Sequence, residues 1–145
     1  MLGRNTMRKP IPKSLHVETH IQAATDWILQ AHAAVNDGCI SKGFDLMRAR
    51  WAPSYPETTG YTVPTLLNVA KIFDRPDLKT LALKLSDNLI PHLTPEGGIA
   101  HWQSGTRSKP IVFDTGQVIF GWVAAYAETQ DDRYLTAAKK AGNWL

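Results

Sequence analysis

The chain repeats itself, and that constrains its fold more than any other feature. Sliding the sequence by 56 residues sets Thr59-Gly60 on Thr115-Gly116, Leu67 on Val123, Leu78 on Tyr134, Ala82 on Ala138, Leu85 on Ala141 and Leu89 on Leu145. A slide of 59 residues sets Asp37-Gly38-Cys39-Ile40 on Glu96-Gly97-Gly98-Ile99. Matching apolar stripes alone would mean little, because any two amphipathic helices can be slid into phase. The paired loop landmarks cannot arise that way. A unit of this length holds a helical hairpin and a long loop. It is too long for tetratricopeptide repeats of about 34 residues or armadillo and HEAT repeats of about 40–47.

Within that frame the apolar spacing predicts five helices. Val17, Ile21, Ala24 and Ile28 share one face of the first, widened by Trp27 and Ala31, and it ends before the turn signal Asn36-Asp37-Gly38. The second is expected from about Val63 to Phe73, with Pro64 in its first turn and Val63, Leu66, Leu67 and Ala70 facing the core. Asp74-Arg75-Pro76 forces a reversal into the third, which carries Leu78, Leu81, Ala82, Leu85 and Leu89 on one stripe. The fourth begins near Asp114-Thr115-Gly116, where a side-chain oxygen can cap free backbone donors. From Val118 to Ala127 it is apolar except at Gly121, too short for a membrane span and so expected to be buried all round. The fifth follows Gln130-Asp131-Asp132 and places Tyr134, Ala137, Ala138, Ala141 and Leu145 on one side. Residues 1–15, with Pro10 and Pro12 and no helical period, read as an extended arm. Residues 16–145 then make two and a half hairpins.

Composition removes several classes. With 43% hydrophobic and 20% charged residues the chain is globular rather than disordered. Its formal charge of +3 is carried by the arm, where Arg4, Arg8, Lys9 and Lys13 lie, and no basic stripe for nucleic acid remains on the helices. Cys39 is the single cysteine, which excludes an intrachain disulfide and a thiolate zinc cluster and fits a reducing compartment. With no secretory signal or membrane span in view, a cytoplasmic protein is expected. His16 and His20 are spaced to share a helical face, yet no third ligand is identifiable, so no metal is expected. Phosphate loops and nucleophile elbows are absent, and no cofactor is implied.

An amphipathic outer helix, a Gly-Gly-Ile turn, a long loop and a Thr-Gly-led apolar inner helix together resemble the six-hairpin α/α toroids. These include six-hairpin glycosidases, N-acylglucosamine 2-epimerase-like proteins and certain polysaccharide lyases and uronyl epimerases. The segments Tyr55-Pro56-Glu57-Thr58-Thr59-Gly60-Tyr61 and Phe113-Asp114-Thr115-Gly116-Gln117 look most like uncharacterised bacterial members associated with carbohydrate metabolism. The resemblance spans about Val17 to Leu145 and implies an all-α chain forming an open arc of a toroid. It informs fold more than activity, because its motifs are structural landmarks.

In such toroids the inner helices line a funnel and the loops leading into them form its rim. The resemblance therefore implies a site on two loops, one holding Trp51, Tyr55, Glu57 and Tyr61 and the other His101, Trp102, Arg107, Asp114 and Gln117. Glu57, Asp114 and His101 are the implied catalytic groups, and the remainder would bind substrate, a sugar or oligosaccharide, through aromatic faces and polar side chains. Each has a structural alternative. Glu57 can serve the backbone donors at its helix start, Asp114 can be a cap, Trp51 and Trp102 can anchor their loops, and His101 can be packing. Hydrolysis would use two carboxylates flanking the glycosidic bond, and epimerisation or elimination a base beside an acidic C–H; these residues do not choose. Two other readings stand beside this one. One is a non-catalytic helical scaffold for a protein partner. The other is an isoprenoid cyclase-like toroid, which would ordinarily bring an Asp-rich or metal-binding set that is not found here.

A closed six-hairpin ring would need on the order of 340 residues. Five helices cannot close it, and the last residues, Asn143-Trp144-Leu145, still follow a helical pattern. The expectation is a fragment of a longer protein, inactive alone and prone to self-association through exposed hairpin faces.

Overall fold

The computed structural model describes residues 17–100, 102–103 and 106–145. The N-terminal arm, His16 and His101 lie outside the described residues. In chain order the elements are α1 (Val17–Ala33), β1 (Phe44–Asp45), β2 (Arg50–Trp51), α2 (Pro56–Phe73), α3 (Pro76–Leu89), a 3₁₀ turn (Ile90–His92), β3 (Trp102–Gln103), β4 (Thr106–Arg107), α4 (Val112–Thr129) and α5 (Asp132–Trp144). The chain is all-α, with five α-helices among the described residues, and each long loop carries a two-stranded antiparallel ribbon. Phe44 pairs with Trp51 in the first ribbon and Trp102 with Arg107 in the second.

The two units correspond element by element. Helices α2 and α4 are each 18 residues long, with bounds 56 apart. Both end on a left-handed residue, Asp74 at φ 50° and Gln130 at φ 59°, whose amide returns to a carbonyl of the last turn, that of Ala70 or Tyr126. One turn inside each helix a buried threonine joins the helix to the preceding glycine turn. Thr59 Oγ1 donates to the Tyr55 carbonyl at 2.8 Å and accepts the Ile40 amide at 3.0 Å. Thr115 Oγ1 donates to the Ile111 carbonyl at 2.8 Å and accepts the Ile99 amide at 2.9 Å. A buried amide without an acceptor costs about 1–3 kcal/mol. The turn isoleucine and the helix threonine therefore recur together because they are bonded to each other. The two slides differ because the second loop is shorter: one residue fewer separates its isoleucine from the ribbon, and two fewer separate the ribbon strands.

Two apolar clusters form the core. Ala31, Ile40, Val63, Leu66, Ala70, Leu78, Ala82 and Leu85 make the first. Leu89, Ile99, Val118, Trp122, Ala125, Tyr134, Ala137, Ala138 and Ala141 make the second. The most extensive helix pairing is α2 on α4. It is close enough that a Cβ added to Gly60 would lie 2.7 Å from Gln117 O and Val118 Cα, and one added to Gly121 would lie 2.8 Å from Gly60 O. Only glycine permits that approach. Pro64, one turn on, has no N–H to offer the Gly60 carbonyl, and that carbonyl is the one backed onto Gly121.

Three expectations from sequence need correction. Helix α2 starts at Pro56 rather than near Val63, so Pro64 sits inside it and not in its first turn. Helix α4 starts at Val112, and its N-cap is Ile111 with no side-chain cap bond, so Asp114 is not a cap. Nor is α4 buried all round: Phe120 is 60% and Val123 51% exposed. An all-apolar helix meets that description only when neighbours stand on every side, and α4 has α2, α3 and α5 on part of its circumference.

Candidate functional site

Helices α2 and α4 run parallel. Tyr55 lies beside Asp114 at their starts, Gly60 lies against Val118 further along, and Lys71 shares a groove with Glu128 near their ends. Both helix starts, with the positive ends of both peptide dipoles, therefore sit at one end of the molecule. Tyr55, the N-cap of α2, is extended at φ −147° and ψ 135°, which frees its side chain from the helix. Its phenol is hydrogen-bonded to the Asp114 carboxylate in the first turn of α4. Asp114 is buried. Half-buried Glu57 adds its charge to the same phenol and accepts the Thr58 hydroxyl at 3.0 Å. Lys42 Nζ stands 5.8 Å from the centroid of the Tyr55 ring.

The electrostatics follow from that geometry. Burial first, then the bond to Asp114, then the charges of Asp114 and Glu57 push the Tyr55 phenol above its ordinary value. It is a lasting hydrogen-bond donor at neutral pH. Asp114, buried and engaged, orients that donor, which leaves Glu57 as the carboxylate more open to a ligand.

The structure thus gathers Tyr55, Glu57 and Asp114. Tyr61 and Gln117 occupy equivalent places 56 residues apart, a further turn along α2 and α4, and Tyr61 is exposed. Trp51 lies in an aromatic cluster that fastens the first ribbon to α1, with ring centroids 4.7 Å from Trp27 and 5.3 Å from Phe44. Trp102 and Arg107 are register partners on β3 and β4. His101 is outside the described residues.

Sequence reasoning passed over Phe113 and Phe120, which are 61% and 60% exposed on α4. The slide of 56 residues sets them on Glu57 and Pro64, so they extend the stripe that holds Gln117. That overlay was the available signal. It was obscured because phenylalanine in an apolar helix reads as core.

Two polar groups of the first glycine turn have local roles. Asp37 supports its turn, accepting the Cys39 amide at 3.1 Å on one oxygen and the Ser54 hydroxyl on the other. Cys39 is buried, and burial foremost, with the Asp37 charge, pushes its thiol up to about 11 against an opposing bond from Thr59. Among the described residues no group of three or more His, Cys, Asp or Glu side chains could hold a metal ion. Among them too, no helix is long and apolar enough to cross a membrane. No protein-family model, curated protein or solved structure matches the chain.

Proposed function

We propose that the chain is an open arc of an α/α toroid that binds a sugar or oligosaccharide at the joined starts of α2 and α4, in the manner of glycosidase, lyase or epimerase toroids. The observation that carries this reading is the cluster of Tyr55, Glu57 and Asp114, brought together by two parallel helices and continued by Tyr61, Phe113, Gln117 and Phe120. A sugar offers C–H faces to aromatic rings and hydroxyls to carboxylates, and this surface supplies both partners. Glu57 accepts from a sugar hydroxyl, and Tyr55, whose single O–H is given to Asp114, offers its oxygen as a second acceptor held in place by that bond. A reaction would require a further group across the bond being broken: a second open carboxylate for hydrolysis or a base for epimerisation. The single, buried Cys39 favours a cytoplasmic setting.

Titration calorimetry against a panel of neutral and uronic-acid oligosaccharides tests the reading. Binding that falls roughly tenfold or more in Glu57→Gln and in Tyr55→Phe, with melting temperature retained, is the expected result. A folded protein that takes up none of the panel at millimolar concentration would sink it. The exposed apolar residues of α4 favour a second reading, a non-catalytic scaffold for a protein partner. That reading predicts protein capture dependent on Phe113 and Phe120 and no sugar binding.

A further inference from the structure

Five positions of α2 and their equivalents 56 residues on in α4 differ in one direction only. Pro56, Gly60, Val63 and Ala70 are buried and Leu67 is half-buried. Their counterparts are opened: Val112 is 64% and Val123 51% exposed, and Gly116, Ile119 and Tyr126 are half-buried. The spacing of four, three, four and three residues makes one straight stripe on a helix. On α2 that stripe faces α4. Gly60 meets the Gln117 and Val118 backbone, and Leu67 and Ala70 border the groove closed by Glu128. On α4 the glycine survives without the neighbour, because a Cβ added to Gly116 would find nothing within 4 Å.

We infer that the α4 stripe of Val112, Gly116, Ile119, Val123 and Tyr126 is a docking seam for the inner helix of a further hairpin unit of the same kind, lying parallel to α4 with a glycine against Gly116. The present seam fixes the chemistry of the occupant. Gly121 is the residue that lets α4 reach Gly60, so the occupant has glycine at that place. Glu128 of α4 pairs with Lys79 across the present seam, and the counterpart of Lys79 is Leu135. The occupant therefore carries an apolar residue where α4 has Glu128.

A second copy of the chain does not meet these terms. Its α2 has Thr65 in the place of Gly121, a branched side chain where backbones must touch. Moreover α5 stands to the next inner helix as α3 stands to α4, so a copy added by the same step would bring its own α1 onto α5. The inference does not depend on sugar binding.

The test lengthens the full chain after Leu145 with a second copy of its residues 90–145 that carries Glu128→Leu in the added unit only, which is in register because Leu145 corresponds to Leu89. A Val123→Cys variant of each chain is then treated with a maleimide, with buried Cys39 as the slow internal control. Modification at position 123 is expected to be roughly tenfold or more slower in the lengthened chain than in the 145-residue one. Gly116→Ala, made in both without the cysteine, is expected to raise the melting temperature of the original chain, where the site is open, and to lower that of the lengthened one. Equal reactivity at position 123, whether or not the added unit folds, overturns the proposal, as does a Gly116→Ala shift of the same sign in both chains. Protection at position 123 in the 145-residue chain that grows with protein concentration assigns the seam to a second copy and also overturns it.

Discussion

Asn88 and Trp144 hold the same place in the outer helices of the two hairpins, and each seals the glycine turn that precedes it by different means. Asn88 donates through Nδ2 to the Gly38 carbonyl at 2.7 Å, a polar lock on a turn whose next residue is Cys39. Trp144 covers the second turn, where a Cβ on Gly98 would come within 2.7 Å of Trp144 Cε2 and 2.5 Å of Pro110 Cβ. Gly98 stands where the first turn has Cys39, and that exchange makes room for the indole. The interior shows the same trade. Leu66 and Leu85 of the first unit become Trp122 and Ala141 in the second, a larger residue matched by a smaller one. What the units share is the set of bonds that satisfies the backbone: threonine to isoleucine amide, and left-handed caps at Asp74 and Gln130. Volume is filled by whatever fits.

If that division is right, substitutions in fillers and in backbone partners separate the units differently. The largest expected effect is from Trp122→Ala, which removes a fully buried ring and its Nε1 bond to the Ser86 carbonyl at 3.1 Å. A loss of about 3–5 kcal/mol in denaturant unfolding is predicted, against about 2–5 kcal/mol for Leu66→Ala. A Trp122→Ala loss well below that of Leu66→Ala would break the claim of equivalent cores. Gly60→Ala is predicted to cost about 1–3 kcal/mol, because its Cβ meets the α4 backbone rather than a movable side chain. Thr59→Val and Thr115→Val should each cost about 1–3 kcal/mol and should cost nearly the same, since each strands one buried isoleucine amide. Clearly unequal losses, measured side by side, would show that the shared bonds do not carry shared weight.

The last effect, absent at neutral pH, belongs to the first unit alone. The Cys39 thiol keeps its proton up to about 11 when folded, against an ordinary 9.0. Between those values the unfolded chain has released a proton that the folded chain holds, so stability falls as pH rises from 9 to 11 and is unaffected by this group below 9. Cys39→Ala should flatten that part of the pH profile of the unfolding midpoint. Tyr134, pushed from 10.0 up to about 12 by burial and its bond to Asp87, adds its own decline from pH 10 to 12, so the flattening in Cys39→Ala is cleanest between pH 9 and 10. An identical decline between pH 9 and 11 in wild type and Cys39→Ala would remove Cys39 from the account.

Much of this was legible in the residues. The apolar stripe of α3, that of α5 except for exposed Leu145, the reversal at Asp74-Arg75-Pro76 and the repeated turn come from short-range spacing, and the structure keeps them. The starts of α2 and α4 were not legible. Pro-Glu-Thr-Thr-Gly and Asp-Thr-Gly are poor helix formers on their own, and they become helical where Thr59, Thr62 and Thr115 hydroxyls return to carbonyls four residues back and tertiary packing covers the turn. The ribbons escaped notice because two-residue strands leave no period to detect. His32 and His92 both bond the carbonyl of a turn residue, Cys39 and Ala100, but over seven and eight residues, so no single slide aligns them. In the candidate site, Glu57 and Asp114 drew attention as carboxylates. Only the fold shows that Asp114 takes Tyr55 as its partner across the α2–α4 seam, because no local pattern links residues so far apart in sequence.

Amide hydrogen exchange at Ile40 and Ile99 tests most directly whether two stretches of the chain obey one set of bonds. The account predicts that both amides are strongly protected, that Thr59→Val releases Ile40 while Ile99 stays protected, and that Thr115→Val does the reverse. An Ile40 or Ile99 amide that exchanges at the rate of an open chain in the native protein would contradict it.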